Sequence, residues 1–236
     1  MFITNCIFCK IDLGINTGVC NFCYSILPWL HIVKYKCNRC QKTLSVEEQK
    51  TQHEICYNCY SEQENLTKYN IFNKIFAVFS YQDPIKQLIL DLKFKQKLSY
   101  GKFLGTILSK YIINHCYKHQ QLPSTIIPIP LHVERLRKRG FNQAYEIAKY
   151  VAKNIKIKIN NTACIKIKNT ISQMNLIKNK RNTNIKNAFL ATKLPDKHIA
   201  ILDDVITTGS TTKDLCKTII QENPDINIDI WCICRA

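Results

Sequence analysis

The stretch Ile199–Thr212, IAILDDVITTGSTT, constrains the fold of this chain more than any other. Four apolar residues run into two adjacent carboxylates, Asp203 and Asp204, then a hydroxyl-rich turn with one glycine, then a helical pattern. A short apolar run marks a strand buried on both faces of a parallel sheet. In open α/β sheets ligands collect beyond the carboxyl ends of such strands. That position here holds Thr207, Thr208, Gly209, Ser210 and Thr211. Their backbone N–H groups, hydroxyls and following helix N-terminus make an anion site. The paired acids restrict which anion. Two carboxylates repel an unshielded phosphate chain, so they suit hydrogen bonds from a sugar diol or a bound cation. Acids for a ribose and a turn for its 5-phosphate describe a phosphoribosyl site.

Other phosphate loops are set aside by what the chain lacks. Neither G-x-x-x-x-G-K-[ST] nor G-x-G-x-x-G occurs, so a Walker loop and a dinucleotide fingerprint are both missing. An ordinary strand–turn–helix junction needs one capping hydroxyl. It does not call for five hydroxylated residues, nor for the acid pair.

The cysteines mark a second module. Eight of the thirteen form four C-x-x-C pairs: Cys6/Cys9, Cys20/Cys23, Cys37/Cys40 and Cys56/Cys59. Each pair can put two thiolates on one tetrahedral ion, so four pairs supply two structural Zn2+ sites. Sequential and cross-braced pairings use the same eight ligands, and spacing does not choose between them. Four thiolates leave no open coordination position, and so small a segment draws its folding energy from the metal. Cys116, Cys164, Cys216, Cys232 and Cys234 lack the spacing and read as small buried hydrophobes.

Charge points to polyanions. Lys and Arg number 34 against 17 acids, a formal net charge of +17. Lysine dominates, in a chain also rich in Ile and Asn, so a solvated lysine surface competes with a dedicated nucleic-acid face. The arginines say more: only six exist, and Arg135, Arg137 and Arg139 fall within five residues. Arginine forks onto phosphate in a way lysine does not. Thr125–Pro130 reads as a strand stopped by prolines, delivering this basic loop to the ligand crevice. No apolar run reaches the roughly 18 residues a membrane span needs, and no leader pattern opens the chain. The expectation is a soluble cytoplasmic protein with no membrane partner.

Patterning fills in the rest. Residues 75–81 read as a strand, 85–93 and 98–113 as helices, and 160–168 as a strand. Residues 170–187 are polar and poorly periodic, as a flap would be. A helix over 211–221 precedes alternation in 226–234 that reads as a closing edge strand. This strand–helix alternation implies a doubly wound sheet.

Taken in order, these pieces resemble the ComF family of competence-related proteins. The likeness covers nearly the whole length: the cysteine pairs, Tyr81-Gln-Asp-Pro84, Leu92-Lys93-Phe94, Pro130-Leu-His132, Arg135 and Arg139-Gly-Phe-Asn-Gln143. It continues through Thr170, Gln173, Leu176, Arg181, Asn184, Ala188-Phe189, Asp203 to Thr212 and Trp231-Cys-Ile-Cys-Arg235. The resemblance implies an α/β fold: a type I phosphoribosyltransferase-like parallel sheet flanked by helices, with a small N-terminal zinc-ribbon-like domain. Residues 1–62 would form the two-zinc module, 63–74 a linker and 75–236 the phosphoribosyltransferase-like domain.

By the same resemblance, Asp203 and Asp204 would hold the ribose hydroxyls of phosphoribosyl pyrophosphate (PRPP), and Thr207 to Thr211 its 5-phosphate. Its pyrophosphate with Mg2+ would lie by Arg135, Arg137 and Arg139, under a hood carrying Gln173 and Arg181. Two functions are compatible with this. One is support of DNA uptake in natural transformation through single-stranded DNA handling, with a competence helicase or recombination proteins as partners. The other is an active Mg-dependent phosphoribosyltransferase acting on a nitrogenous base. No catalytic side chain and no acceptor pocket are recognisable in the sequence.

Overall fold

The computed structural model describes residues 5–12, 14, 18–51, 54–64, 71–117, 121–168 and 188–236. Five strands form one parallel sheet: β1 (Ile75–Ser80), β2 (Thr125–Pro128), β3 (Lys158–Ile159), β6 (His198–Ile206) and β7 (Asn227–Arg235). Their spatial order is β1-β7-β6-β2-β3. Two further strands, β4 (Cys164–Lys166) and β5 (Phe189–Ala191), pair antiparallel in a separate ribbon. Short helices α1 (Asn21–Ser25), α2 (Val46–Gln49) and α3 (Tyr57–Glu64) belong to the cysteine-rich segment. Around the sheet lie α4 (Ile85–Lys95), α5 (Ser99–Tyr111), α6 (Val133–Arg139), α7 (Gln143–Ile155) and α8 (Ser210–Glu222).

The path of the chain creates the crevice. From β2 it crosses through α6 and α7 to β3 on one side, whereas from β6 it crosses through α8 to β7 on the other. Between β2 and β6 the winding reverses, and at such a switch point the connections diverge and leave a gap above the strand ends. The two segments singled out for phosphate chemistry leave the sheet from these neighbouring strands.

Two strand expectations are corrected. The alternation over residues 226–234 suggested an edge, but β7 runs inside the sheet between β1 and β6, buried from Ile228 to Arg235. Its polar member Asp229 is satisfied internally: it accepts hydrogen bonds from the Tyr117 hydroxyl and from Asn73 Nδ2 (3.3 Å), and pairs with His198 Nε2 (2.9 Å). Residues 160–168 are not one strand either. The Asn160 side chain accepts from the Thr162 and Ala163 amides (3.2 and 2.9 Å), turning the chain out of the main sheet before β4.

The cysteine module closes the open edge of β1. The Ser80 amide donates to Pro28 O (2.9 Å) and the Ile75 amide to Arg39 O (2.8 Å). Trp29 pairs with Phe79, ring centroids 4.7 Å apart. An edge strand covered this way is not left open to pairing with other chains. Residues 71–74 also lie against the sheet: Phe72 is buried and the Asn73 amide donates to Ile228 O (2.8 Å).

On the face carrying α5 and α7, the two helices meet at Gly105. A Cβ there would stand 2.6 Å from Ile147 O and 2.8 Å from Tyr150 Cβ. Replacing Gly105 with alanine forces α5 away from α7, an overpacking cost of about 1–3 kcal/mol. Urea denaturation of Gly105→Ala checks this; unchanged stability would contradict the close approach.

Candidate functional site

Strand β6 continues through both acids to Ile206, so Asp203 and Asp204 lie within the strand rather than after it. Successive strand residues point to opposite faces, and the two carboxylates have separate surroundings. Asp204 is 2% exposed. Lys93 of α4 forms an ion pair with it, and Gln143 Nε2 of α7 donates to its Oδ1 (2.9 Å). Arg139 donates in turn to Gln143 Oε1 while its guanidinium lies 5.6 Å from the Phe94 ring centroid. A buried carboxylate is stable only with such partners.

Asp203 is half-buried and accepts the Asp204 amide (2.8 Å). Burial first, and the Asp204 charge second, push its carboxyl up to about 8. Both effects favour its protonated form, and a cation or hydrogen-bond donor would oppose them. Lys166 of β4 is near this side. Burial first, then Arg135, bring its ammonium down to about 8, with Asp203 and Asp214 opposing.

The basic segment is not a loop. His132 Nδ1 accepts the Glu134 amide (3.4 Å), and Gly140, at φ +82°, ends the helix with its amide on Leu136 O (2.7 Å). The arginines thus sit on α6, where residues four apart share a face and residues two apart do not. Arg135 and Arg139 are half-buried on the crevice side, whereas Arg137 is exposed. Of the three arginines, Arg135 and Arg139 thus share one face of the helix and Arg137 lies off it.

The turn after β6 has the form the sequence suggested. Gly209 adopts φ +76°, a conformation that favours glycine, directly before Ser210 opens α8. The Thr208 and Ser210 hydroxyls are 2.8 Å apart. Thr207 and Thr208 are exposed, with Gly209, Ser210 and Thr211 half-buried. Gln173 and Arg181 lie outside the described residues. Ribbon β4–β5 brackets their segment and touches the start of α6 through a bridge between His132 and Lys166.

The cysteines gather into two groups, Cys6, Cys9, Cys20 and Cys23, and Cys37, Cys40, Cys56 and Cys59. Pairing is therefore sequential. Within each group all Sγ atoms lie within 4.8 Å of one another. The Cys9–Cys20 and Cys40–Cys56 separations, 3.9 and 3.6 Å, bracket the edge of about 3.8 Å that a tetrahedron of Zn–S bonds near 2.3 Å requires. They are far too long for disulfides. The Cys23 amide points at Cys20 Sγ and the Cys40 amide at Cys37 Sγ, both at 3.4 Å. Such N–H groups stabilise thiolate ligands. Each group can hold one zinc ion, and the five remaining cysteines are free.

One residue joins the second cysteine group to the turn. Arg235, 8% exposed, donates from Nε to Cys40 O (3.0 Å) and from Nη1 to Ile206 O (2.9 Å), with Thr207 O also accepting. Beside α6 lies a cavity of 640 Å³ lined by Leu131, Val133, Leu136, Phe141, Tyr145 and Lys166 among others. Lys93, Gln143, Lys166 and Arg235 carry no role in the sequence reading. The first, second and fourth occur in the motifs that suggested the resemblance, but their partners come from distant parts of the chain.

The fold and site define a mixed α/β protein with a switch-point crevice and two four-cysteine groups. No family profile matches the chain. Competence protein F of Haemophilus influenzae is 30% identical over 237 residues, 98% of this chain and 96% of that protein. DNA utilization protein YhgH of Escherichia coli K12 is 27% identical over 238 residues, again 98% and 96%. Competence protein ComFC of Bacillus subtilis is 22% identical over 223 residues, 92% and 84%. The chain belongs to the competence protein F (ComF) family. Among the described residues, no helix is long and apolar enough to cross a membrane.

Removing the guanidinium in Arg235→Met takes its donor from Cys40 O, at about 1–3 kcal/mol, whereas Ile206 O keeps the Ala236 amide (3.0 Å). The variant is expected to lose about 1–3 kcal/mol, with faster amide exchange at Thr208 and Ser210. Wild-type exchange at that turn would contradict the tether.

Proposed function

We propose that this protein binds PRPP with Mg2+ in the crevice between β2 and β6 and serves DNA uptake by handling single-stranded DNA. The single observation that carries the first half is the junction at the end of β6: a half-buried acid, then an exposed hydroxyl turn opening a helix. A 5-phosphate would take the Thr207–Thr211 turn, where amides and a helix N-terminus favour an anion. Asp203 would accept the ribose hydroxyls directly. Asp204 is held by Lys93 and Gln143. It joins the sugar when Lys93 turns to the ligand's phosphates, which exchanges one anion for another on the same ammonium.

Arg135, Arg139 and Lys166 would face the pyrophosphate, where arginine forks match paired oxygens. Mg2+ would neutralise charge on the pyrophosphate, as it does in other phosphate sites. Gln173 and Arg181 are proposed hood residues on sequence grounds alone. The second half rests on the names of the relatives, which tie them to competence and DNA utilization, and on the +17 charge. Cytoplasmic placement and contact with a competence helicase or recombination proteins belong to the same proposal. Residues 1–62, 63–74 and 75–236 remain the proposed division into zinc module, linker and phosphoribosyltransferase-like domain.

A second reading is favoured by the 640 Å³ cavity beside α6. Its apolar and aromatic walls suit a nitrogenous base, and transfer of the sugar to that base would make the protein a phosphoribosyltransferase. Nitrogen would attack the anomeric carbon as the bond to pyrophosphate breaks. The residues of the crevice would hold the sugar and the departing anion and exclude water. Pyrophosphate release in the presence of candidate bases distinguishes the two readings.

PRPP with Mg2+ is expected to raise the melting temperature, by about 2.7 kcal/mol of added stability at a hundredfold excess over Kd. Asp203→Ala should remove the shift with little change in the ligand-free melting temperature. No shift in the intact protein would overturn the PRPP reading. We also propose that both cysteine groups hold structural zinc. Metal analysis should find two zinc ions per chain, and chelation should unfold the N-terminal module, since metal binding supplies its folding energy. A metal-free protein with unchanged melting would contradict this.

A further inference from the structure

A second cleft, of 350 Å³, lies at the β1 edge of the sheet, between the cysteine module and α5. Strand β7 separates β1 from β6, so this cleft is distinct from the crevice above the acids. Its walls include Tyr24, Trp29, His31, Lys110, Tyr111 and His115.

The rings form a continuous array. Trp29 lies 4.8 Å from Tyr24 and 5.5 Å from His31, and the imidazoles of His31 and His115 are nearly parallel, 13° apart, at 5.6 Å. Tyr111 backs His115 at 5.2 Å. Only part of this array serves the fold. Trp29 packs on Phe79, and Tyr111 is 9% exposed, whereas His31, His115 and Tyr24 are exposed. Exposed rings held face to face across two different parts of the chain contribute little to a core. They offer flat apolar faces to a flat ligand.

Charge narrows the occupant. Lys110 lines the cleft, Lys36 donates Nζ to Leu30 O (3.2 Å) and to His31 O (3.5 Å) at its margin, and no lining residue carries a carboxylate. A ring array beside lysines and free of acids matches a strand of nucleotides with unpaired bases. Stacking on aromatic faces tolerates any base, and lysines follow the phosphates. A duplex keeps its bases stacked on one another and has none to offer.

From this we infer that the cleft bounded by Trp29, His31 and His115 is where the protein stacks bases of single-stranded DNA. The inference rests on the proposed handling of DNA and adds its location. It is independent of PRPP.

The chain has two tryptophans, and Trp231 is fully buried. Quenching of intrinsic fluorescence by a thymidine oligonucleotide therefore reports Trp29. Saturable quenching is expected at low salt, with affinity falling steeply between about 50 and 200 mM. His31→Ala/His115→Ala should weaken binding about tenfold or more, as lost base stacking does. Its melting temperature and its response to PRPP should stay those of the wild type. Trp29→Phe should abolish the signal, and fluorescence anisotropy of end-labelled DNA should show binding weakened but not lost, since phenylalanine keeps an aromatic face.

Anisotropy showing tight binding with no quenching, and with the histidine variant unaffected, would overturn the site while leaving DNA handling intact. Equal quenching by an abasic oligonucleotide would overturn base stacking. Quenching by an apolar peptide but not by DNA would overturn the choice of partner. No binding of DNA by either method at low salt would overturn both the site and the reading it rests on.

Discussion

The guanidinium of Arg235 is the interaction on which the arrangement of this protein depends. It sits near the end of β7, donates to the carbonyl of Cys40 and closes on the carbonyls of Ile206 and Thr207. Three segments distant in sequence thereby meet at one planar, always-charged group: a cysteine knuckle, a strand end and the turn that follows β6. A buried cation shared by these carbonyls holds them together, although Ile206 O also keeps the Ala236 amide (3.0 Å). The cysteine module is consequently part of the sheet's architecture, covering β1 on one side and bracing the β6 turn on the other.

Within the crevice the charges are arranged in two layers. On the α7 side, Arg139, Gln143, Asp204 and Lys93 form a connected run in which every buried charge has a partner. On the opposite face, Asp203 carries a raised pKa and Lys166 a lowered one, both chiefly from burial. Groups whose titration is moved toward neutral pH change charge more readily when a ligand arrives, and such groups cluster at functional sites. The proposed ligand supplies what each layer lacks: anionic oxygens for the cations, and hydroxyls or a divalent ion for the acid.

Much of this was legible in the sequence because its determinants are local. An apolar run before Asp203-Asp204 dictated a buried parallel strand, the hydroxyl-rich segment with its one glycine marked a turn before a helix, and the C-x-x-C spacing dictated paired thiolates. What sequence did not disclose depends on partners far along the chain. The alternation of 226–234 reads as an edge strand, whereas Tyr117, His198 and Asn73 enclose its polar member Asp229. The arginines looked like a loop because nothing in their own pattern shows that His132 caps a helix and Gly140 ends it. Sequential pairing of the cysteines, and the tether from Arg235 to Cys40, required the distances themselves.

A crystal structure of the protein with PRPP and Mg2+ tests the central claim most directly. The account predicts the 5-phosphate against the Thr207–Thr211 amides, the ribose hydroxyls on Asp203, and the pyrophosphate facing Arg135 and Arg139. Electron density for PRPP elsewhere on the surface, with the turn after β6 empty and Lys93 still on Asp204, would contradict it.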